Sequence, residues 1–235
     1  MTREQVIQFF GSYADVIMPF ATSPEMDTLL GALRAEASAG KIVVPEQALI
    51  FRAFHETPLE DLRFVILGQD PYPAKGLPDG LAFSASSAST TPKSLQLIYD
   101  AIARDAGPTQ QPRNNDLSYL AKQGGLLLNA SLTTVEGFTN VHKDIWEPFM
   151  KYMITRLQEV TRGIIWLGFG KEAQLLLKNV DVYMNAHFLT FEEHPVAALY
   201  RAQAENNPNP EWIAKCFSKT NAIIRANKLG ELIQW

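Results

Sequence analysis

The chain has 235 residues, of which 46% are hydrophobic and 20% charged, with a formal net charge of -4 at pH 7. That apolar share over that length supports one substantial core. The mildly acidic balance excludes a protein that holds nucleic acid through bulk positive charge and leaves that task to a local patch.

The single cysteine, Cys216, excludes an intrachain disulfide and argues against a cysteine metal site, which fits a reducing compartment. The N-terminal MTREQVIQFF lacks the apolar run of a signal peptide, and no stretch approaches the roughly 18 apolar residues of a membrane span. An intracellular, cytoplasmic protein with one domain over residues 1–235 is expected.

In chain order, Ser23-Pro24-Glu25 reads as an N-cap, a first-turn proline and a first-turn acid. Leu29, Leu30 and Leu33 follow, and Gly40 closes this first helix. Phe64 to Leu67 is a short apolar run without alternation. Ser84 to Thr91, SASSASTT, is small and polar and reads as a loop. Thr91-Pro92 opens a second helix with Leu95, Ile98, Tyr99 and Ile102 on one face, ended by Gly107; a loop to Asn115 follows. Leu126 to Leu128 is another apolar run. A third helix starts at Asp144 and carries Trp146, Phe149, Met150, Met153, Ile154 and Leu157 at helical spacing. Further runs lie at Ile164 to Leu167 and, more weakly, near Tyr183 to Leu189. Residues 202–210, AQAENNPNP, read as an exposed, mobile loop. A fourth helix is predicted from Pro210 to Asn227, with Trp212, Ile213, Phe217, Ile223 and Ile224.

Apolar runs without alternation suit strands covered on both faces, and their alternation with helices predicts an α/β fold with a mostly parallel sheet. Ligands in such folds gather at the carboxyl ends of the strands. Gln69, Asp70 and Tyr72 directly follow one predicted strand, and Asn129 follows another. The turn that holds the first three is VILGQDPYP, and its prolines Pro71 and Pro73 fix φ and remove backbone donors. A lone aspartate there has an ordinary reading as a turn residue, and a lone tyrosine as packing. A turn this constrained, however, also holds side chains for a ligand at little entropic cost.

GQDPYP at 68–73, GLAFS at 80–84, PKSL at 92–95, GGLLLNASLT at 124–133 and HP at 194–195 occur in that order. Together they resemble the uracil-DNA glycosylase family, in its GQDPY form, over roughly residues 45–200. The resemblance implies a three-layer α/β/α sandwich around a four-stranded, mostly parallel sheet. It also implies cleavage of the bond between uracil and deoxyribose after the base leaves the stack. No cofactor or metal is expected.

The resemblance assigns roles residue by residue. Asp70 matches the catalytic aspartate that positions water and stabilises a cationic sugar. His194 matches the histidine that, kept neutral, donates to O2 of the departing uracil. Gln69 contacts the base or sugar region, largely through backbone. Phe83 stacks on the uracil. Asn129 reads the base edge, because its amide offers one donor face and one acceptor face. Tyr72 lies against C5 and clashes with the methyl of thymine. Ser94, with Pro92 and Lys93 beside it, matches a phosphate contact. The strip TTVEGFTNVHK at 133–143 is expected near DNA, with no role for His142.

Three departures stand out. Pro73 occupies a position that is commonly histidine. HPVAALYR replaces the usual HPSPLS, so Val196 stands for a phosphate-gripping serine and the wedge leucine moves to Leu199, with Tyr200 beside it. Lys171 stands where a Gly-Ser pair is usual. These changes cluster in DNA-gripping loops and predict altered affinity or strand preference with intact uracil specificity. The alternative is a DNA-binding or replication scaffold with weak activity. An unrelated α/β hydrolase or nucleotide-binding enzyme would need a nucleophile elbow, a Walker loop or GxGxxG, and none is present. Expected partners are uracil-containing DNA, single- or double-stranded, and a DNA-mimic inhibitor or replication factors. A monomer is expected.

Overall fold

The computed structural model describes residues 1–108 and 113–235, so residues 109–112 of the expected 107–115 loop lie outside the described residues. The three strongest apolar runs form β2 (Phe64–Gly68), β3 (Gly125–Asn129) and β5 (Ile165–Phe169), each buried at every position. With β6 (Phe188–Glu192) they make a four-stranded sheet in the order β3-β2-β5-β6, and every pairing is parallel. Strands buried on both faces need helical cover on both faces, which is the three-layer arrangement the family resemblance implies. A two-stranded antiparallel pair, β1 (Val43–Val44) with β4 (Thr134–Val135), lies outside this sheet.

Two aromatic clusters fill the core. By register, Phe64 and Phe169 point to the same face, where Phe169 meets Trp212 and Phe217, and Phe64 meets Trp235. The other cluster, Phe10, Phe54, Trp146 and Phe149, joins three helices: α1 (Arg3–Phe10), α4 (Arg52–Glu56) and α7 (Lys143–Val160). Burying each such ring contributes roughly 1.5–3 kcal/mol. Among the described residues no helix is long and apolar enough to cross a membrane.

The helix expected from Ser23 is α3 (Pro24–Ser38), capped by the Ser23 hydroxyl. The helix expected after Thr91-Pro92 is α5 (Lys93–Asp105), with Pro92 at its N-cap. Other expectations need correction. The fourth helix begins at Cys216, not Pro210, and runs to Asn227 as α10. Trp212 precedes it outside any helix, buried, its indole donating to the Glu193 carbonyl at 2.8 Å. Ile213, assigned to a packed helical face, is 72% exposed. Two prolines within 208–210 bias the preceding residues away from helix, and the buried indole then holds the segment extended. The edge strand starts at Phe188, so Tyr183 lies outside it, 93% exposed.

Helices without a clear sequence signal are α1, α2 (Ala14–Ala21), α4, α6 (Ser118–Ala121), α8 (Lys171–Leu177) and α9 (Pro195–Ala204). Because α9 reaches Ala204, the loop expected at 202–210 is confined to 205–210.

Candidate active site

The carboxyl ends of β2 and β3 deliver the first side chains. Gly68 of β2 pairs with Asn129 of β3, and the two chains stay joined past the strands: Ala130 N donates to the Gly68 carbonyl and Ser131 N to the Gln69 carbonyl, both at 3.0 Å. This junction places Asp70 and Asn129 on the rim of one cleft of about 230 Å³. Gln69, Tyr72, Phe83, Ser94 and His194 line the same cleft.

Asp70 is held from two sides. The Gln69 side-chain amide donates to Oδ1 at 3.0 Å, and the Asn140 backbone N–H donates to Oδ2 at 2.5 Å. Burial raises its pKa above the ordinary carboxylate value, and these two donors partly offset that by favouring the charged form. The result is a fixed anion in a partly dry setting, where charge acts strongly.

His194 is the N-cap of α9, and its Nδ1 accepts from Val196 N at 3.3 Å. A nitrogen that accepts carries no proton, so the neutral ring bears its proton on Nε2. Burial lowers the imidazole pKa from 6.5 to about 4. The ring therefore stays neutral across the physiological range and still offers one donor.

Phe83 occupies a left-handed conformation with φ +63°. Its neighbours impose that geometry. Asp79 accepts from the Ser84 hydroxyl at 2.5 Å and from Leu81 N at 3.2 Å, and Arg52 Nη1 pairs with it at 2.8 Å. Gly80 between them has φ +95°, and a Cβ there would lie 2.1 Å from the Leu49 carbonyl oxygen. The strained phenylalanine presents its ring to the cleft, 5.6 Å from the His194 ring.

Tyr72 is anchored through its hydroxyl, which meets the Phe83 carbonyl at 2.9 Å and Ser94 Oγ at 3.0 Å. A carbonyl can only accept, so the tyrosine proton goes to Phe83 and the Ser94 hydroxyl donates to Tyr72.

A sequence profile of the Uracil DNA glycosylase superfamily matches residues 54–221. The chain belongs to this superfamily. A "Uracil-DNA glycosylase" of Pseudomonas aeruginosa is 34% identical over 222 residues, spanning 94% of this chain and 92% of the relative. One from Francisella tularensis is 35% identical over 185 residues, spanning 78% and 83%. Among solved structures, mimivirus uracil-DNA glycosylase aligns with a TM-score of 0.85 at 23% identity, covering all of this chain and 89% of the other. A variant of the mimivirus enzyme in complex with UGI aligns at 0.84 and 24% identity, covering 100% and 91%. At these identities the structures speak for the fold.

Within this uracil-DNA glycosylase fold, the expected site residues separate into groups. Gln69, Asp70, Tyr72, Phe83, Ser94, Asn129 and His194 share the cleft. Pro92 and Lys93 stand beside Ser94 at the start of α5. Lys171 is exposed at the first position of α8, after Gly170 (φ +87°), where a Cβ would lie 2.9 Å from that of His194. Leu199 is the exception: it is half-buried and packs against the core, whereas Tyr200 is 68% exposed and lines the cleft. HPVAALYR is thus not a loop but the first turns of α9, and the face that packs inward takes Ala198, Leu199 and Ala202.

Sequence reasoning did not single out Thr139, which also lines the cleft, or the Asn140 N–H that holds Asp70. The left-handed φ of +61° at Asn140 is their one local signal, since asparagine tolerates it. His142 is buried and meets the Thr133 hydroxyl at 2.9 Å, which gives it a structural place.

Gly68, the last residue of β2, leaves no room for a side chain beside the cleft. A Cβ there would sit 2.5 Å from Asn129 Oδ1 and 3.2 Å from the Phe83 ring. Gly68→Ala is expected to push both groups off position and to lower kcat/KM on uracil-containing DNA by about a hundredfold, as misplacements near 1 Å do. Steady-state kinetics check this, and a variant within threefold of the parent would refute the tight fit.

Proposed function

We propose that this chain is a monofunctional uracil-DNA glycosylase. The observation that carries this reading is the meeting, in one cleft, of a part-buried carboxylate, a neutral imidazole, a base-reading amide and a strained aromatic platform.

A uracil flipped from the stack lies on Phe83. Asn129 pairs with O4 and N3–H, whereas cytosine presents the reverse pattern at those atoms. The Tyr72 ring, fixed by its hydroxyl, fills the space a thymine methyl would need. As the bond between C1′ and N1 lengthens, positive charge grows on the sugar and negative charge on uracil. Asp70 faces the first, and the Nε2–H of His194 faces the second. A second cation there would oppose the sugar charge, so a neutral histidine serves better. Water oriented by Asp70 adds its oxygen to C1′. Its proton passes to the carboxylate and then to solvent, and the uracil anion takes a proton from solvent.

The start of α5 offers backbone N–H groups, Lys93 and Ser94 to a phosphate next to the flipped nucleotide. Ser94 turns its hydroxyl from Tyr72 to do so. Lys171 adds a second charge contact. The wedge that fills the vacated base position is Tyr200, because Leu199 is held in the core. The partner is uracil-containing DNA, single- or double-stranded. An acidic protein inhibitor that mimics DNA would cover the same cleft. The enzyme works inside the cell, as a single-domain monomer.

The test is a labelled oligonucleotide with one uracil, single- and double-stranded, treated with alkali after incubation to reveal abasic sites. Cleavage at uracil alone, with thymine and cytosine controls untouched, is the expected result. Tyr200→Ala should slow the double-stranded substrate more than the single-stranded one. Binding of DNA without cleavage would replace this reading with the scaffold role.

A further inference from the structure

The loop that holds Asp70 carries an exposed aromatic side chain to which no role attaches. Phe138 is 61% exposed, and Val141 beside it is 48% exposed. Scattered apolar residues on a surface need no explanation. This one differs because the loop beneath it is pinned on all sides. Thr134 Oγ1 donates to the Phe138 carbonyl at 2.8 Å, and Phe138 N donates to the Val135 carbonyl at 2.9 Å. Gly137 N donates to the Pro73 carbonyl at 2.7 Å. Thr139 lines the cleft, and Asn140 N holds Asp70. A rigid turn therefore projects a phenyl ring into solvent one residue from the cleft wall. On α9, another wall of the cleft, Tyr200 is likewise exposed.

We propose that Phe138 is a base-stacking contact for the DNA strand beside the flipped nucleotide. This rests on the glycosylase reading above. Nucleobases stack on exposed aromatic rings regardless of sequence, and such contacts make up for sparse positive charge. That suits a chain with net charge -4, whose basic residues at the cleft are few. The backbone beneath the ring is already held by these hydrogen bonds, so little main-chain freedom is lost on binding.

Phe138→Ala, Phe138→Trp and the parent are compared on a single-stranded uracil oligonucleotide at about 50 and about 200 mM salt, by steady-state cleavage and by fluorescence anisotropy of the labelled strand. The expected result is a rise of about tenfold in KM and Kd for alanine, within the range measured for one stacked base. Saturating kcat should stay within about twofold, and tryptophan should restore binding. The slope of log Kd against log salt should not change, since no phosphate contact is lost. An alanine variant with parental Kd overturns the inference, as does a loss of kcat alone that tryptophan does not restore. If the parent binds DNA but does not cleave it, the glycosylase reading fails while the anisotropy of Phe138→Ala still decides the stacking contact.

Discussion

Replacing Asp70 with asparagine is expected to lower single-turnover cleavage of uracil-containing DNA by about a thousandfold while leaving DNA affinity nearly unchanged. The carboxylate faces donors on both oxygens, Gln69 Nε2 on Oδ1 and Asn140 N on Oδ2. An amide has only one acceptor. Its NH₂ must turn toward one of those donors, so the side chain loses charge and position together. Stability should move the other way. Burial is the largest cause of the raised Asp70 pKa, so the folded state resists this charge at neutral pH. That cost is relieved as pH falls through the folded pKa, and asparagine removes it at every pH. The variant should thus melt at or above the parent temperature, as is common where a strained functional group is removed. Rapid-quench kinetics and a thermal melt check the pair. A cleavage rate within tenfold of the parent would remove Asp70 from the chemistry.

The sheet and the cleft were legible for the same reason. Strands covered on both faces read as unbroken apolar runs, and the residue after such a run stands at the ligand end. Phe64 to Leu67 leads to Asp70, and Leu126 to Leu128 leads to Asn129. What stayed hidden involves backbone groups or tertiary packing. The Asn140 N–H has no side-chain signature, yet it is the closest donor to Asp70. α9 is buried through Pro195, Ala198 and Ala202, an i, i+3, i+7 pattern made of residues too small to register as an apolar face. Leu199 falls at i+4 of that stripe and turns inward, while Tyr200 falls off it and turns outward, a distinction that spacing supplies only once the segment is known to be a helix. The late start of α10 depends on Trp212 finding the Glu193 carbonyl 19 residues earlier, a contact that local propensity does not contain.

The second large effect falls on His194 and separates its two jobs. Its Nδ1 caps α9 by accepting from Val196 N, and its ring lines the cleft, where the proposed mechanism has Nε2–H donate to the leaving uracil. Asparagine is among the best N-cap residues, and its short side chain ends near Nδ1. His194→Asn should keep the helix and lose the donor, lowering kcat by about 10²–10³-fold, the usual cost of one donor to a developing anion. The pH dependence of stability supplies an independent readout. The imidazole pKa falls from 6.5 in the unfolded chain to about 4 in the fold, with burial as the cause. Between those values the unfolded state binds more protons, so the parent loses stability as pH drops from 6.5 to 4. At about 1.4 kcal/mol per unit the loss reaches about 3 kcal/mol near pH 4. The asparagine variant has no such group. Asp70 titrates in the opposite sense, but it is present in both proteins and cancels in their difference. Urea melts at pH 7 and pH 4 should therefore show the parent losing about 3 kcal/mol relative to His194→Asn. Parallel stability profiles would mean that the folded histidine titrates near 6.5 like the unfolded one, and burial would then not be what keeps the ring neutral.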